Sequence, residues 1–501
     1  MNSQSSDTSG VQFFVDLEPL ISIDTVAEYL ADLNSSEVWS HEYSHLALWQ
    51  VDSFPFTTAD GEMIFDINGV IKRSVRKTKI KGADFNILSV LEDMSSDSVG
   101  TCFSPMDFSS EQGSNAVIIS ILDTGINPDM SNSSTPDLNY NLINYSGYDY
   151  INDDPIPDDE HGHGTHIAGI IHSITHAIDT AGTTITFDIR KTHNNLGQGF
   201  MSGVVKGLLD AVDAGAKVIN MSFGAQDTLD MNSFYPLRQA INFAQEQNVI
   251  IIAATGNEGM DIGSMNSTVI PAAFPEANII SVSSIGCNDS LSTYSNFGEL
   301  TADIGVLGER IPGPGLTSGI EYRSGTSHAA AILSAVAALI SSQSSTLDVE
   351  KLKCTLINGA SEIDYMDTLL YSGGKLDPTN AAQLFSESFP DYTISNTSND
   401  GVGSLRYAFE ENCSVEKIYF DLALDSDTII IFDAPIYVDR EIKIIGNEMD
   451  ESIIFGLNIP TFIINPFAEL KLEKLTIKSN SVNPAVKNLG ILRVKNDVKI
   501  E

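Results

Sequence analysis

The feature that most constrains the fold of this 501-residue chain is an alternation of short apolar runs with longer segments of helical periodicity. The runs are rich in Val and Ile, as expected for strands that are covered on both faces of a sheet. Segments such as Met201–Ala214 and Ser233–Glu246 lie between them and have the spacing of amphipathic helices. The runs are Ala116–Leu122, Ile185–Arg190, Lys217–Phe223, Val249–Ala254 and Ile279–Ser284. This alternation predicts an α/β domain with a doubly wound, mostly parallel sheet over residues 116–388.

Three polar residues stand where such a sheet binds its ligands. Asp123 follows the first apolar run, Ser222 lies near the end of the third, and Asn257 comes shortly after the fourth. Open α/β sheets bind ligands at the carboxyl ends of their strands. We therefore expect these side chains to lie at the same edge of the sheet.

His163 and Ser327 add the groups needed for nucleophilic catalysis. A serine hydroxyl is a poor nucleophile unless a base takes its proton, and His163 can be that base. Asp123 would accept the Nδ1–H of His163 and stabilise the imidazolium. The Asn257 amide, beside the Ser327 backbone N–H, could donate to a developing oxyanion. Alone, each residue has an ordinary interpretation as a turn or helix cap, but together they predict a protease.

Five short motifs follow one another along the α/β region. They are Asp-Thr-Gly at 123–125, His-Gly-Thr-His at 163–166, Ser-Phe-Gly at 222–224, Gly-Asn-Glu-Gly at 256–259 and Gly-Thr-Ser at 325–327. In this order they resemble the blocks of the subtilisin-like serine proteases, the subtilase or peptidase S8 family, in which the triad runs Asp, His, Ser. One position departs from the family pattern, since Ala331 stands where a Pro is usual. Ala forms helices well, so we expect altered rigidity there and no loss of activity.

The resemblance implies a serine endopeptidase that cleaves polypeptides through an acyl-enzyme intermediate. Its triad would be Asp123, His163 and Ser327, with Asn257 in the oxyanion hole, and no cofactor would be required for the chemistry. The residues that would contact an extended substrate are Ser222, Phe223, Gly224 and Gly256.

An acidic segment, Asp149–Glu160, leads into the histidine motif and resembles a calcium loop of thermitase-like subtilases. Hard oxygen ligands suit Ca²⁺, so the resemblance implies a structural calcium ion. The expected ligands are Asp149, Asn152, Asp154 and Asp158. A solvated acidic loop explains the same residues without a metal.

Two metal signatures compete with the serine mechanism. His41–His45 matches HExxH, the zinc-protease pattern, which needs both histidines on one helix. The following Leu46–Val51 has the pattern of a strand, which disfavours that helix. His161, His163 and His166 imitate an HxHxxH cluster, but Thr165 stands where the metal-binding version has an acid.

The regions flanking the α/β domain differ from it in character. Residues 11–92 predict a small α+β unit, with strands at Phe13–Leu17, Leu46–Val51 and Met63–Ile67 and a helix capped by Ser22. Its position and size resemble the inhibitory propeptide of the family, which would make it this protease's own inhibitor. Residues 93–115 are rich in Ser and Asp and predict a linker.

Residues 393–501 contain short β-rich runs without a long helix between them, which predicts stacked rungs of a parallel β-helix. Their start, Gly403–Arg406, resembles the opening of β-helix modules of bacterial surface proteins, where it begins a short capping helix. Such a module binds or anchors, so a catalytically idle binding protein is the rival hypothesis. The complete set of triad residues disfavours it.

Composition excludes several other functions. With 27 Lys and Arg against 67 Asp and Glu, the formal net charge of −40 argues against a nucleic-acid partner. No run approaches the roughly 20 apolar residues of a membrane-spanning helix. The first residues lack the pattern of a secretory signal, so the protein stays inside the cell, leaves by another route or has its true start upstream. The family resemblance implies secretion, with the cytoplasm as the alternative. The scattered cysteines Cys102, Cys287, Cys354 and Cys413 say little about redox compartment.

Overall fold

A computed structural model describes most of the α/β region and parts of both flanking regions. Between residues 102 and 399 it describes 102–108, 113–127, 145–177, 184–227, 234–263, 268–316, 319–386 and 391–399. Before residue 102 it describes strand segments, and after residue 399 a short helix, strands and some connections. The chain divides into two compact units, residues 1–347 with 361–376, and residues 348–360 with 377–501.

A nine-stranded sheet is the centre of the first unit. We number its strands β1 Val117–Asp123, β2 Tyr145–Asp149, β3 Ile185–Lys191, β4 Ala216–Met221, β5 Ile250–Ala254, β6 Ile279–Ile285, β7 Ile304–Leu307, β8 Ser361–Glu362 and β9 Gly374–Lys375. Their order across the sheet is β2-β3-β1-β4-β5-β6-β7-β9-β8. All neighbours are parallel except β8 and β9. The predicted α/β fold class is therefore confirmed.

Helices cover the sheet, and β5 is buried at every residue. The helices of this unit are α1 His163–His176, α2 Met201–Asp213, α3 Tyr235–Glu246 and α4 Thr326–Ser341. The apolar sides of α2 and α3 share one core with Ile219 of β4 and Ile251 of β5. All residues of α4 are buried, including Ala331. Small alanine side chains allow this helix to pack closely against β4, β5 and β6.

Shorter elements complete the first unit. They are the strands Gln198–Phe200, Ala225–Asp227, Thr268–Ile270, Ile311–Pro314 and Ile320–Ser324 and the 3₁₀ helices Pro105–Phe108 and Met366–Thr368. The strand Ile311–Pro314 pairs antiparallel with Ile320–Ser324, which runs directly into α4. Cys102 and Cys287 form a disulfide with a Cα–Cα distance of 5.9 Å. Disulfides persist in oxidising compartments, so this pairing bears on the redox compartment, which the spacing of the cysteines alone does not indicate.

The N-terminal strands form a four-stranded antiparallel sheet. Its order is Ser35–His41, Leu46–Val51, Val11–Leu17, Ile80–Phe85. Two of the three predicted strands are therefore present, and the described part of the third, Met63–Ile64, pairs antiparallel with Phe56–Thr57. The helix expected after Ser22 lies outside the described residues.

The position of His41 rules out the HExxH interpretation. His41 ends a strand, and its backbone pairs with Leu46 of the next strand. A zinc-protease motif needs its two histidines one helical turn apart on the same helix. A residue in a hairpin ladder cannot satisfy that requirement.

The described residues of the second unit form three helices and a set of parallel strands. The helices are α5 Val349–Asn358, α6 Pro378–Ser386 and α7 Leu405–Glu410. The strands form three sheets. The first contains Asp391–Ile394, Lys417–Phe420, Ile442–Ile445, Glu469–Glu473 and Ile491–Lys495. The second contains Thr428–Ile431, Ser452–Gly456, Leu475–Ser479 and Lys499–Ile500, and the third contains Ile436–Val438, Phe462–Ile464 and Val486–Asn488. Neighbours in all three sheets are parallel.

Apolar ladders hold these sheets together. Ile429, Ile454 and Ile477 are in register on three successive strands, and all three are fully buried. The short helix α7 begins after the Gly-Ser segment as expected and adds Phe409 to the same core. The all-β character predicted for this region is therefore present. Among the described residues, no helix combines the length and apolarity that crossing a membrane requires.

Candidate active site

Asp123 and His163 are held together at the carboxyl end of β1. Both side chains are fully buried. The Nδ1 atom of His163 lies 2.8 Å from Oδ1 and 3.0 Å from Oδ2 of Asp123. The backbone N–H of Thr124 also donates to Oδ1, at 2.7 Å. The carboxylate is thus oriented by its own strand end, and it in turn orients the imidazole.

The start of α1 fixes the position of His163. The helix begins at His163. The Asp159 carboxylate accepts hydrogen bonds from the backbone N–H groups of His161, Gly162 and Thr165 and from the Thr165 hydroxyl. Such N–H groups have no partner within a helix. Burial would raise the pKa of Asp159, but these hydrogen bonds outweigh it and hold the pKa below its ordinary value.

Gly164 allows α1 to approach the end of β1. A Cβ atom at this position would lie 2.3 Å from the carbonyl oxygen of Gly125 and 3.1 Å from Oδ1 of Asp123. The Gly164 N–H donates to the Thr124 hydroxyl at 2.9 Å. Because a side chain here would separate the helix from the strand, glycine is required for the contact between Asp123 and His163.

Ser327 is the second residue of α4 and lies in a buried polar network with Ser222. The Ser327 hydroxyl donates to the Ser222 carbonyl oxygen, and the Ser222 hydroxyl donates to the Ser327 carbonyl oxygen, both at 2.9 Å. Asn220 extends the network, since its amide NH₂ donates to the Ser222 hydroxyl and its amide oxygen accepts from Ser334. These bonds tie the first turn of α4 to β4.

Asn257 follows β5 and is anchored to the start of α4. Its amide oxygen accepts hydrogen bonds from the backbone N–H and the hydroxyl of Thr326, at 2.9 and 3.2 Å. The same hydroxyl accepts from the Gly256 N–H at 3.1 Å. A Cβ atom at Gly325 would lie 3.4 Å from the Asn257 amide nitrogen. The oxygen is therefore the end of the Asn257 amide that binds Thr326, and the amide nitrogen lies near Gly325, two residues before Ser327 in the sequence.

Two strands next to these residues pair with the N-terminal region. Leu88–Val90 pairs antiparallel with Gln198–Phe200, and Met94–Ser95 pairs antiparallel with Arg323–Ser324. The second pairing includes Ser324, which lies three residues before Ser327 in the sequence. An extended peptide bound along a cleft pairs with exposed strand edges in the same manner.

Comparison with known proteins decides the family. The profile of the subtilase family matches residues 114–394, more than half of the chain. Thermitase from Thermoactinomyces vulgaris is 31% identical over 282 residues, which are 56% of this chain and 92% of thermitase. The chain belongs to the subtilase family. It is accordingly a serine endopeptidase.

Two solved structures are similar to this subtilase in fold. The epidermin leader peptide processing serine protease from Staphylococcus aureus is 19% identical, with a TM-score of 0.54 over 76% of this chain and 99% of that one. Fervidolysin from Fervidobacterium pennivorans, a keratinolytic enzyme, is 16% identical, with a TM-score of 0.58 over 76% of this chain and 62% of that one. Both likenesses extend beyond the region matched by the family profile.

Further histidines surround His163 in this subtilase. The ring of His328 lies 6.0 Å from that of His163 and 4.9 Å from that of His166. The His166 ring packs into the hairpin before α4, 3.3 Å from the Glu321 carbonyl oxygen. Burial lowers the pKa of His328 well below its ordinary value and that of His193 to about 4. Within the described part of the chain, no three His, Cys, Asp or Glu residues form a group that could hold a metal.

Among the expected calcium ligands, Asp149 has a carboxylate that already accepts a full set of hydrogen bonds. Asp149 is buried, and its two oxygens accept from the Ile151 and Asn152 backbone N–H groups, the Asn152 amide and the Lys191 ammonium. These four donors account for the lone pairs of a carboxylate. The side chains of Asn152 and Asp158 are exposed. In this arrangement the Asp149 carboxylate would have to give up hydrogen bonds to bind a calcium ion.

Three residues of the site, Asp159, Asn220 and Lys191, have no individual role in the prediction from sequence. Asp159 belongs there to an acidic segment, although its place just before the helix that starts at His163 is a capping signal. Asn220 is a polar residue inside an apolar strand, which is a usable signal for a buried network. Lys191 ends an apolar run, and nothing in its neighbours along the chain indicates its buried acidic partners.

Proposed function

We propose that Ser327 is the nucleophile, His163 the general base and Asp123 the orienting acid of this endopeptidase. The observation that carries the proposal is the contact between His163 Nδ1 and the buried Asp123 carboxylate at 2.8 Å. It assigns the proton to Nδ1 and leaves Nε2 as the basic nitrogen. Nε2 would take the Ser327 proton during attack and return it to the leaving amine. Asp123 would stabilise the imidazolium in between.

The Ser327 hydroxyl has to change its hydrogen-bond partner before it attacks. It donates to the Ser222 carbonyl oxygen, and this hydrogen bond has to be exchanged for one to His163. Catalytic hydrogen bonds are often absent from substrate-free enzymes and form with the substrate. The tetrahedral oxyanion would then be stabilised by the Ser327 N–H and the Asn257 NH₂. The anchoring of the Asn257 oxygen by Thr326 supports this role, because it fixes which end of the amide can donate.

Labelling with a fluorophosphonate tests the assignment directly. The wild-type protein should form one covalent adduct on Ser327, and Ser327→Ala should form none. Ser341 is a matched control, since it is a buried serine on the same helix whose hydroxyl donates to Ala337. Ser341→Ala should label like wild type. Labelling of Ser327→Ala at the wild-type rate would refute the proposed nucleophile.

The substrate is an extended polypeptide. Ser222, Phe223 and Gly224 are proposed to pair with its main chain, and Gly256 to contribute to the same cleft. Phe223 packs against the His193 ring with centroids 4.6 Å apart, which supports a rigid wall at this place.

The N-terminal region is proposed to inhibit the enzyme as a propeptide. The support is its pairing with strands on the catalytic unit, at Leu88–Val90 and again at Met94–Ser95. A segment seated in this way would exclude substrates from the cleft. The bond cut during maturation would then lie between Val90 and Met94. The boundaries 11–92 for the propeptide, 93–115 for the linker, 116–388 for the catalytic domain and 393–501 for the β-helix-like domain are part of the same proposal.

A structural calcium ion in the loop at 149–160 stays a prediction of the family resemblance. The acidic composition of the loop supports it. The complete hydrogen bonding of Asp149 and the exposure of Asn152 and Asp158 oppose it. No step of the proposed mechanism uses a metal ion.

A further inference from the structure

We propose that the ammonium group of Lys191 serves as the internal cation of the acidic loop at 149–160 and positions His163 without a metal ion. Lys191 is 1% exposed, and its Nζ lies 2.6 Å from the Asp158 carbonyl oxygen, 2.6 Å from Oε2 of Glu160 and 3.1 Å from Oδ2 of Asp149. An ammonium group has three N–H donors, and all three have an acceptor here. The mixed set of carboxylate and carbonyl oxygens is of the type that binds a hard cation.

Because Lys191 is buried, its ammonium group needs a full set of hydrogen-bond acceptors. Removing a charge from water is costly unless it is paired and fully hydrogen-bonded. The buried Lys191 ammonium group meets this requirement, because two carboxylates and one carbonyl oxygen accept its three N–H groups. The loop therefore holds a permanent positive charge at neutral pH. A divalent ion at the same oxygens would have to displace that charge.

The place of Lys191 in the sheet links the loop to the proposed catalytic residues. Lys191 ends β3, where its backbone is in register with Asp149 on one neighbouring strand and with Asp123 on the other. Its side chain holds Glu160, three residues before His163. The residue before Glu160, Asp159, accepts hydrogen bonds from the Gly162 and Thr165 backbone N–H groups at the start of α1. The same lysine thus fixes both the loop and the approach to His163, and this positioning role rests on the proposed function of His163.

The first experiment needs no variant of Lys191. In the Ser327→Ala protein, which cannot digest itself, the melting temperature is measured in excess EDTA and in millimolar CaCl₂. An internal cation predicts the same melting temperature in both. A saturable rise with calcium and a fall with EDTA would overturn the proposal, because an ion bound to the native state stabilises it by mass action. This result would leave the catalytic assignment untouched.

The second experiment removes the cation. Lys191→Ala should lower the melting temperature by about 5 °C or more, as expected for breaking a buried pair. Lys375 is the matched control, since its pair with Asp289 is exposed on both sides, and Lys375→Ala should change the melting temperature little.

Kinetics then separate positioning from general stability. At a temperature where both proteins are folded, Lys191→Ala should lower kcat roughly tenfold or more through misplacement of His163, with a much smaller change in KM. The vacated oxygens should now accept a divalent ion, so calcium should restore part of kcat and of the melting temperature in Lys191→Ala alone. Wild-type kcat and melting temperature in Lys191→Ala would overturn the proposal.

Discussion

Ser222 and Ser327 each donate a hydrogen bond to the other's carbonyl oxygen, both at 2.9 Å. The reciprocal pair joins the end of β4 to the first turn of α4. It also directs the Ser327 hydroxyl at the Ser222 carbonyl oxygen. The proposed nucleophile is therefore held by a hydrogen bond that has to break before Ser327 can donate to His163.

Removing the nucleophile tests the consequence of this pairing for both activity and stability. Ser327→Ala should lower kcat by a factor on the order of 10⁶, because triad members act as a unit. It should cost only about 1 kcal/mol of stability, through loss of the bond to Ser222. Peptide hydrolysis and thermal melting measure the two effects.

The histidines provide the control for that experiment. His163→Ala should lose nearly as much activity as Ser327→Ala, whereas His161→Ala and His166→Ala leave the triad complete. Equal losses from all three histidine substitutions, with restoration by zinc, would contradict the serine mechanism.

The Asn257 side chain accepts hydrogen bonds from Thr326 and is proposed to donate to the oxyanion, and two substitutions separate these functions. Asn257→Asp keeps an oxygen for Thr326 but loses the NH₂ donor, so kcat should fall about 10²–10³-fold with little change in KM. Asn257→Ala should lose the same rate and also lower the melting temperature, because the Thr326 N–H loses its acceptor. Near-wild-type kcat in Asn257→Asp would show that the amide does not stabilise the transition state.

The sequence was sufficient for the sheet because its central strands are apolar on both faces. Predicted and observed bounds of β1, β3 and β6 differ by at most one residue at either end. By contrast β2, Tyr145–Asp149, was missed, since it lies at the sheet edge and is not an apolar run. Lys191 could not be predicted either, because a lysine is rarely buried and its partners come from a loop distant in sequence. The HExxH pattern at His41 shows the opposite error, a local motif without the helix that gives it meaning.

Buried histidines should make stability depend on pH above the range of the carboxylates. The folded pKa of His193 is about 4, against 6.5 in a solvated chain, because the side chain is fully buried. Above pH 6.5 both states are neutral and stability is complete. Between 6.5 and 4 the unfolded state binds the extra proton, so on the order of 3 kcal/mol is lost as pH falls. In the Ser327→Ala background, melting temperature between pH 7 and pH 4.5 should fall less steeply when His193→Gln is added. Parallel curves for the two proteins would count against this assignment.

The register of the N-terminal segment predicts where the chain is cut. Val90 pairs with Gln198 and Met94 pairs with Ser324, three residues before Ser327 in the sequence, so we expect the cut among the bonds that join Val90 to Met94. Wild-type protein should mature to a form whose N-terminus lies in this interval, as measured by intact mass and N-terminal sequencing, while Ser327→Ala purified alone should stay full length.

Glu92→Pro removes an N–H at the centre of the interval and should slow maturation, whereas Ser98→Pro, in the following linker, should not. An N-terminus beyond residue 96 would mean that the exposed linker is nicked without regard to this pairing. If wild type stayed intact and fully active, residues 11–92 would be a permanent domain.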